Sequence, residues 1–441
     1  MASGDELTKQ LMQTGQLVHP ARVPVTLLGI SENSGLQTID KAHPLPVTGN
    51  TDAFGRLRIS APLTLFDSSH RFADNDLWNE KITGTASSVF NQDAGLVELN
   101  IGTTAGDEII RETNKVFSYQ PGKSLLVLST FVFDTPKTNL RQRAGYYGAQ
   151  NGMYFEVDGT TVSFVERSYV TGSVTETKVN QANWNIDIMD GTGPSGFTLD
   201  PAKAQILYMD IEWLGLGTVR MGFVIDGLFV HCHSFHHANI IEGTYITTAS
   251  LPLRQEITNI GATSGASKAK QICASVLSEG GYELRGLQQA VGTPITTPYE
   301  LTTADTYYPV ISLRLKSTRL DAIAILTAVS FLGIDEGNYN WQVVAGNTVT
   351  AGTWVSAGVN SSIEYNITGT ATSGGRILAS GWISSEKKES GRIDILKEAL
   401  FKFQMERNTF TSTAEPISLV IGCTRASADI YATLDWEEIT R

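Results

Sequence analysis

The sequence runs to 441 residues, with 33 Lys and Arg against 45 Asp and Glu and a formal net charge of −12. Only 18% of residues are charged, 41% are hydrophobic and 41 are glycine, a balance that suits a β-rich chain with many turns and enough length for two or three cores. The acidic balance, without a basic patch, argues against a nucleic-acid partner, and no apolar run reaches the ~20 residues of a membrane-spanning helix.

Residues 1–55 read as an extended N-terminal arm. The opening MASGDELTKQLMQTGQ is polar and acidic, without the basic start and apolar core of a secretory leader. A short helix is expected within 5–16. Beyond it, Pro, Gly and short apolar runs alternate, a composition that buries little by itself and is expected to be held by a neighbouring subunit.

Residues 56–290 carry period-2 segments such as GLVELNI, KSLLVLSTFVF, GMYFEVDGTTVSFVERS and TVRMGFVIDGLFVHC, which predict strands. Asp158-Gly159 and Asp226-Gly227 are dipeptides that two-residue hairpin turns favour. Residues 291–300, VGTPITTPYE, read as a linker. Residues 301–441 supply further strands, with one internal helix expected over 393–400, IDILKEAL. The expected fold is all-β: two antiparallel β-sandwich domains behind the arm.

The stretch FVIDGLFVHCHSFHHAN, Phe223 to Asn239, holds His231, His233, His236 and His237 around Cys232. A turn at Asp226-Gly227 sets Phe223 against Val230, Met221 against Cys232, Gly222 against His231 and Arg220 against His233. A preceding turn near Gly215–Gly217 sets Trp213 against Val219, Glu212 against Arg220 and Asp210 against Gly222. One face then includes Met209, Ile211, Trp213, Leu228, Val230 and Cys232 and reads as core. The other holds two rows, Glu212–Arg220–His233 and Asp210–Gly222–His231. His-x-His beside Asp-x-Glu is a pattern that suits a divalent metal. Arg220 stands among these groups, however, and a fixed guanidinium repels a cation, whereas cross-strand opposite charges add ~0.2–1 kcal/mol per pair. The expectation is a structural ladder, with no metal and no other cofactor. His236 and His237 are not placed by this register.

Other candidates are weaker. Asp210-x-Glu212 is spaced for a retaining glycosidase pair, but lacks the further acid of the jelly-roll pattern. Asp74, Asp76 and Glu80 form an acidic loop without the glycine of a calcium-binding turn. MDGTGPSG at 189–196 lacks the following helix and lysine of a phosphate cradle. Trp78 and Trp184 are the tryptophans left free to stack on a glycan. Asn360 and Asn366 match the glycosylation pattern by chance. Cys232, Cys273 and Cys423 are too few and too far apart for a disulfide framework, and reduced thiols fit folding in a cytoplasm.

Trp184, the GPSG loop at 193–196, DIEWLGLGTVRMGFVIDG at 210–227 and the His-rich strand after it resemble a module of virion structural proteins in tailed bacteriophages, of the marine and cyanobacterial type. The resemblance spans roughly 56–260, and EPISLVIGCTRASADIYATLDWEE is similar to the last hairpin of such proteins. It implies a concanavalin-like, jelly-roll sandwich in a tail fibre, collar, baseplate or capsid decoration, and it implies no catalytic residue. The resulting expectation is a non-enzymatic virion component, assembled in the host cytoplasm. Its arm would anchor it to other virion proteins, and it would form a homo-oligomer. A host-glycan-binding module of the virion and a jelly-roll glycan hydrolase are the alternatives.

Overall fold

The computed structural model describes residues 28–31, 35–38, 61–74, 76–385, 389–394 and 403–440. The chain divides into two compact units, Met1–Ile59 and Ser60–Arg441. In the first, Leu28–Ser31 and Gly35–Thr38 pair as an antiparallel hairpin. The expected helix within 5–16 and the remainder of the arm lie outside the described residues.

The second unit is all-β, with no α-helix among the described residues. Its first sandwich packs two antiparallel sheets. The seven-stranded sheet runs in space Trp78–Thr83, Glu108–Thr113, Leu253–Asn259, Leu140–Tyr147, Gly152–Asp158, Thr161–Ser168, Thr175–Asn180. The eight-stranded sheet runs Ser87–Asn91, Leu96–Ile101, Ser267–Glu279, Ser124–Val132, Gln205–Ile211, Val219–Ile225, Leu228–Phe235, with Pro62–Ser69 also pairing to Ser267–Glu279. Alternation sends Val127, Phe155, Phe164, Met209 and Phe223 into the core between them.

Over its central strands the outer face of the seven-stranded sheet is buried as well. Guanidinium groups lie over tyrosine rings, Arg143 5.0 Å from the Tyr154 centroid and Arg167 5.4 Å from that of Tyr147. Glu156 and Glu256 accept from Arg143 at 2.6 and 3.3 Å. Gly145 lies opposite Tyr154, where a Cβ would come within 2.7 Å of the tyrosine Cβ. This close approach is what glycine permits inside a strand.

The second sandwich has a five-stranded sheet of Leu287–Gly292, Ala428–Thr440, Ile323–Gly333 and Glu389–Asp394, with Tyr299–Leu301 also on Ala428–Thr440. Facing it is a six-stranded sheet in the order Val355–Ser356, Ile363–Asn366, Tyr307–Leu315, Ile417–Cys423, Gly337–Ala345, Arg376–Ser385. Leu313, Leu326, Phe331, Leu419 and Trp436 fill this core.

Two expected elements take a different form. The linker 291–300 starts and ends in strand, both parts paired to Ala428–Thr440. Within the helix expected over 393–400, Ile393 and Asp394 are strand, opposite Val329 and Ala328, and residues 395–400 lie outside the described residues. An isolated stretch of that length is marginal as a helix, and the exposed edge of Ile323–Gly333 offers a backbone ladder instead.

The sandwiches meet along a polar seam. The buried Arg407 donates to Thr113 O at 2.7 Å and lies 2.9 Å from Glu112, which accepts from Arg254 at 2.8 Å. Gln404 donates to Val116 O at 2.8 Å, and Asn114 to Glu406 at 3.0 Å.

Candidate functional site

The hairpins around the histidine strand carry the candidate residues. Asp226 and Gly227 both take positive φ, 51° and 78°, the two-residue turn expected from the sequence. Phe223 faces Val230 and Gly222 faces His231, as that turn dictates. A bulge follows. Met221 faces His233 and Arg220 faces Ser234, leaving Cys232 as the extra residue. Gly222 makes room for it, since a Cβ there would lie 2.0 Å from Val230 O. The extra residue reverses the alternation, so His233 turns to the buried side instead of the polar row expected for it.

The other hairpin is wider than expected. Glu212 N–H donates to Thr218 O at 3.1 Å, with Leu214 and Gly215 in the left-handed region, φ 41° and 81°. The register therefore moves by two residues: Asp210 faces Arg220 and Tyr208 faces Gly222. An even shift preserves the faces and changes every partner. Met209, Ile211, Val219 and Met221 are buried as the core face requires. Trp213 lies only partly buried beyond the strand end, and Leu228 is 63% exposed at the turn.

The expected ladder is corrected in three places. Arg220 Nη1 donates to Asp210 Oδ2 at 3.3 Å and pairs with neither Glu212 nor His233. Glu212 accepts the Thr218 N–H at 3.4 Å. His231 bonds along its own strand, Nε2 2.9 Å from Ser234 Oγ and 3.2 Å from His233 O, away from Asp210. His233 Nδ1 accepts the Asn185 N–H at 3.3 Å. Burial, with the His236 and His231 imidazoles nearby, pulls His233 down to about 4 and keeps it neutral.

His237, unplaced by sequence, is buried with one ring nitrogen 2.6 Å from Gly217 O and the other 2.7 Å from Glu166 Oε2, its ring stacked on Tyr245. Two oxygen acceptors beside the two ring nitrogens favour the doubly protonated imidazolium form. Burial opposes the charge, but Glu166 and Gly217 O outweigh it and raise the pKa above 6.5.

Arg220, Asp210 and Glu212 line an open cleft of about 460 Å³ at the end of the eight-stranded sheet, together with Tyr119, Lys123, Ser124 and Glu279. Ser124 donates to Glu279 Oε2 at 2.6 Å. Burial raises the Asp210 carboxyl, Arg220 opposes that, and Glu279 and Glu212 add to it. The arrangement offers fixed hydroxyl, carboxylate and guanidinium groups to a polar ligand. Among the described residues no cluster of three or more His, Cys, Asp or Glu is arranged to hold a metal ion. Glu279 and Ser124 were not legible in sequence. Alternation places both on the outer face, but their pairing joins strands 155 positions apart.

The remaining candidates are structural. Trp184 is 4% exposed, stacks on Phe164 at 4.3 Å and donates to Val179 O at 3.1 Å. It is a core residue and not a free glycan platform. Trp78 is half-buried, donates to Ser68 Oγ at 2.9 Å and lies edge-on to Phe66. Asp74 and Glu80 of the acidic loop hold the buried Arg111 guanidinium. The 189–196 loop folds around Asp187, which accepts from Met189 N–H at 2.9 Å and Ser195 N–H at 2.7 Å. Asn366 is fully buried and closed to glycosylation.

No family model matches the chain, and no curated protein matches it. Several solved structures are similar to it over about half its length. One is a β-glucanase of Bacillus licheniformis, 13% identical, covering 51% of this chain and 99% of that one, with a TM-score of 0.33. Another is a legume lectin-like domain from Entamoeba histolytica, 10% identical over 51% and 99% of the two chains, TM-score 0.31. A third is the CBM2 module of an evolved Dit from Lactobacillus casei BL23 phage J-1, 5% identical over 51% and 100%, TM-score 0.35. No residue role follows from likeness of this degree.

Proposed function

We propose that this chain is a non-catalytic structural protein of a bacteriophage particle, whose first sandwich holds a surface glycan in the cleft over Asp210, Arg220 and Glu279. The observation that carries the reading is the Asp210–Arg220 pair in that cleft. General acid–base cleavage of a glycoside needs carboxyl groups free to trade protons with substrate. Here Asp210 is paired to a guanidinium, Glu279 accepts from a serine hydroxyl and Glu212 from the Thr218 N–H. The same fixed donors and acceptors suit the hydroxyls of a sugar. The resemblance of Trp184–Asn239 to phage virion modules supports placement in a particle, with residues 1–55 as the anchor to other virion proteins and a symmetric homo-oligomer as the assembled form.

The test combines two measurements. Purified protein is expected to bind host surface polysaccharide without releasing new reducing ends, and Asp210→Ala to weaken that binding. Gold-labelled antibody is expected to decorate intact particles. Reducing ends that disappear with Asp210→Asn would make the protein a hydrolase, and unlabelled particles would remove it from the virion.

A further inference from the structure

One row of residues crosses four strands of the six-stranded sheet in the second sandwich. Tyr307 faces Gly422, Gly422 faces Asn340, and Asn340 faces Trp382 on the edge strand Arg376–Ser385. The row belongs to the outer face, since its side chains line an open trough of about 170 Å³. Gly422 has no side chain to fill it. The Tyr307 ring lies across the gap, 3.1 Å from where a Cβ of Gly422 would stand, and its hydroxyl donates to Asn340 Oδ1 at 2.8 Å. The result is a trough lined by a tyrosine ring and an indole, with the buried Asn340 amide beneath the tyrosine.

Trp382 is 65% exposed and Tyr307 40%. Their α-carbons are three strand spacings apart, about 14 Å at ~4.8 Å per strand, and the Tyr307 ring reaches back over Gly422 to Asn340, so the open trough beside Trp382 has room for a sugar ring. The strand beneath reads Asn338-Tyr339-Asn340-Trp341-Gln342, with Tyr339 and Trp341 buried, so alternation turns the three amides to the outer face, where Asn338 is exposed, Gln342 half-buried and Asn340 covered by Tyr307. Ser380 and Ser384 lie beside Gln342 and Asn338 on the edge strand. Among the described lining residues the trough has one carboxylate, Asp305, and no Lys or Arg.

We infer that this trough binds a neutral glycan. Exposed aromatic faces offer an apolar platform for the C–H face of a pyranose ring, and amides both donate and accept hydrogen bonds, as sugar hydroxyls do. The absence of a cation among the lining residues disfavours an anionic sugar or a phosphate. This site stands in a different sandwich from the Asp210 cleft and does not rest on it.

The test is affinity electrophoresis of the full chain through gels containing a neutral β-1,3-glucan, a β-1,4-glucan or an α-mannan. At least one polymer is expected to retard the wild type. Trp382→Ala is expected to weaken that retardation about tenfold or more, the scale of an aromatic anchor at a binding hot spot, with Trp382→Phe retaining most of it. The melting temperature of Trp382→Ala should match the wild type, because the indole is exposed. Val359→Ala, exposed on the same sandwich but outside the trough, is expected to leave the retardation unchanged. The inference is overturned if no polymer retards the wild type, or if Trp382→Ala is retarded equally. Loss with Asp210→Ala alone would also overturn it, while supporting the cleft of the first sandwich.

Discussion

Individual side chains decide between reactive and structural chemistry in this protein. Among the described residues, the two ring nitrogens of His237 meet two acceptors, Gly217 O and Glu166. Its pKa is raised in the fold. A raised group contributes stability that is fully present below its unfolded value of about 6.5 and is lost as pH rises through the folded value. Urea unfolding is therefore expected to show a midpoint that falls from pH 6 to pH 9 in the wild type and less in His237→Gln. Parallel pH profiles would show that the imidazolium contributes nothing. Trp184 gives a second prediction. Its burial against Phe164 makes Trp184→Ala a cavity mutation costing about 3–5 kcal/mol in chemical denaturation, while a glycan platform at that position would lose binding with stability intact.

At the scale of the element, the histidine strand shows how one extra residue changes a site. Without the bulge at Cys232, strict alternation would keep His231 and His233 on one face, as a metal or a ladder needs. With it, His233 enters the interior as a neutral ring and His231 bonds to its own strand. The bulge depends on Gly222, where a Cβ would collide with Val230 O. Gly222→Ala is expected to destabilise the protein by about 1–3 kcal/mol, the range for overpacking, and the same measurement on the exposed Gly227, where a Cβ meets nothing within 4 Å, tests backbone conformation alone. A Gly222→Ala protein as stable as the wild type would show that the collision at Gly222 is relieved without cost.

For the Ser60–Arg441 unit, the seam between sandwiches decides whether they behave as one body. Arg407 and Glu112 are both about 1% exposed at the side chain. Removing one partner of a buried pair costs about 3–5 kcal/mol because the other charge is left stranded. Calorimetry is expected to show one melting transition in the wild type and two in Arg407→Ala, as the sandwiches uncouple. Two transitions already present in the wild type would mean that the seam does not couple them.

The sequence by itself determined the all-β class, the burial of Met209, Ile211, Val219 and Met221, and the Asp226-Gly227 turn, because alternation and turn chemistry act over a few residues. It could not determine which carboxylate meets Arg220, because the 213–217 loop shifts register by two and parity hides an even shift. The bulge at Cys232 was equally hidden, being set by the close approach of Val230 O to Gly222. Trp184 passed for a free aromatic because it lies outside any strand and its stacking partner Phe164 sits 20 positions earlier, on Thr161–Ser168. Glu279 with Ser124, Glu166 with His237, and the row from Tyr307 to Trp382 join positions far apart in the chain. Those groupings come from strand pairing and sheet packing, and only the tertiary structure decided them.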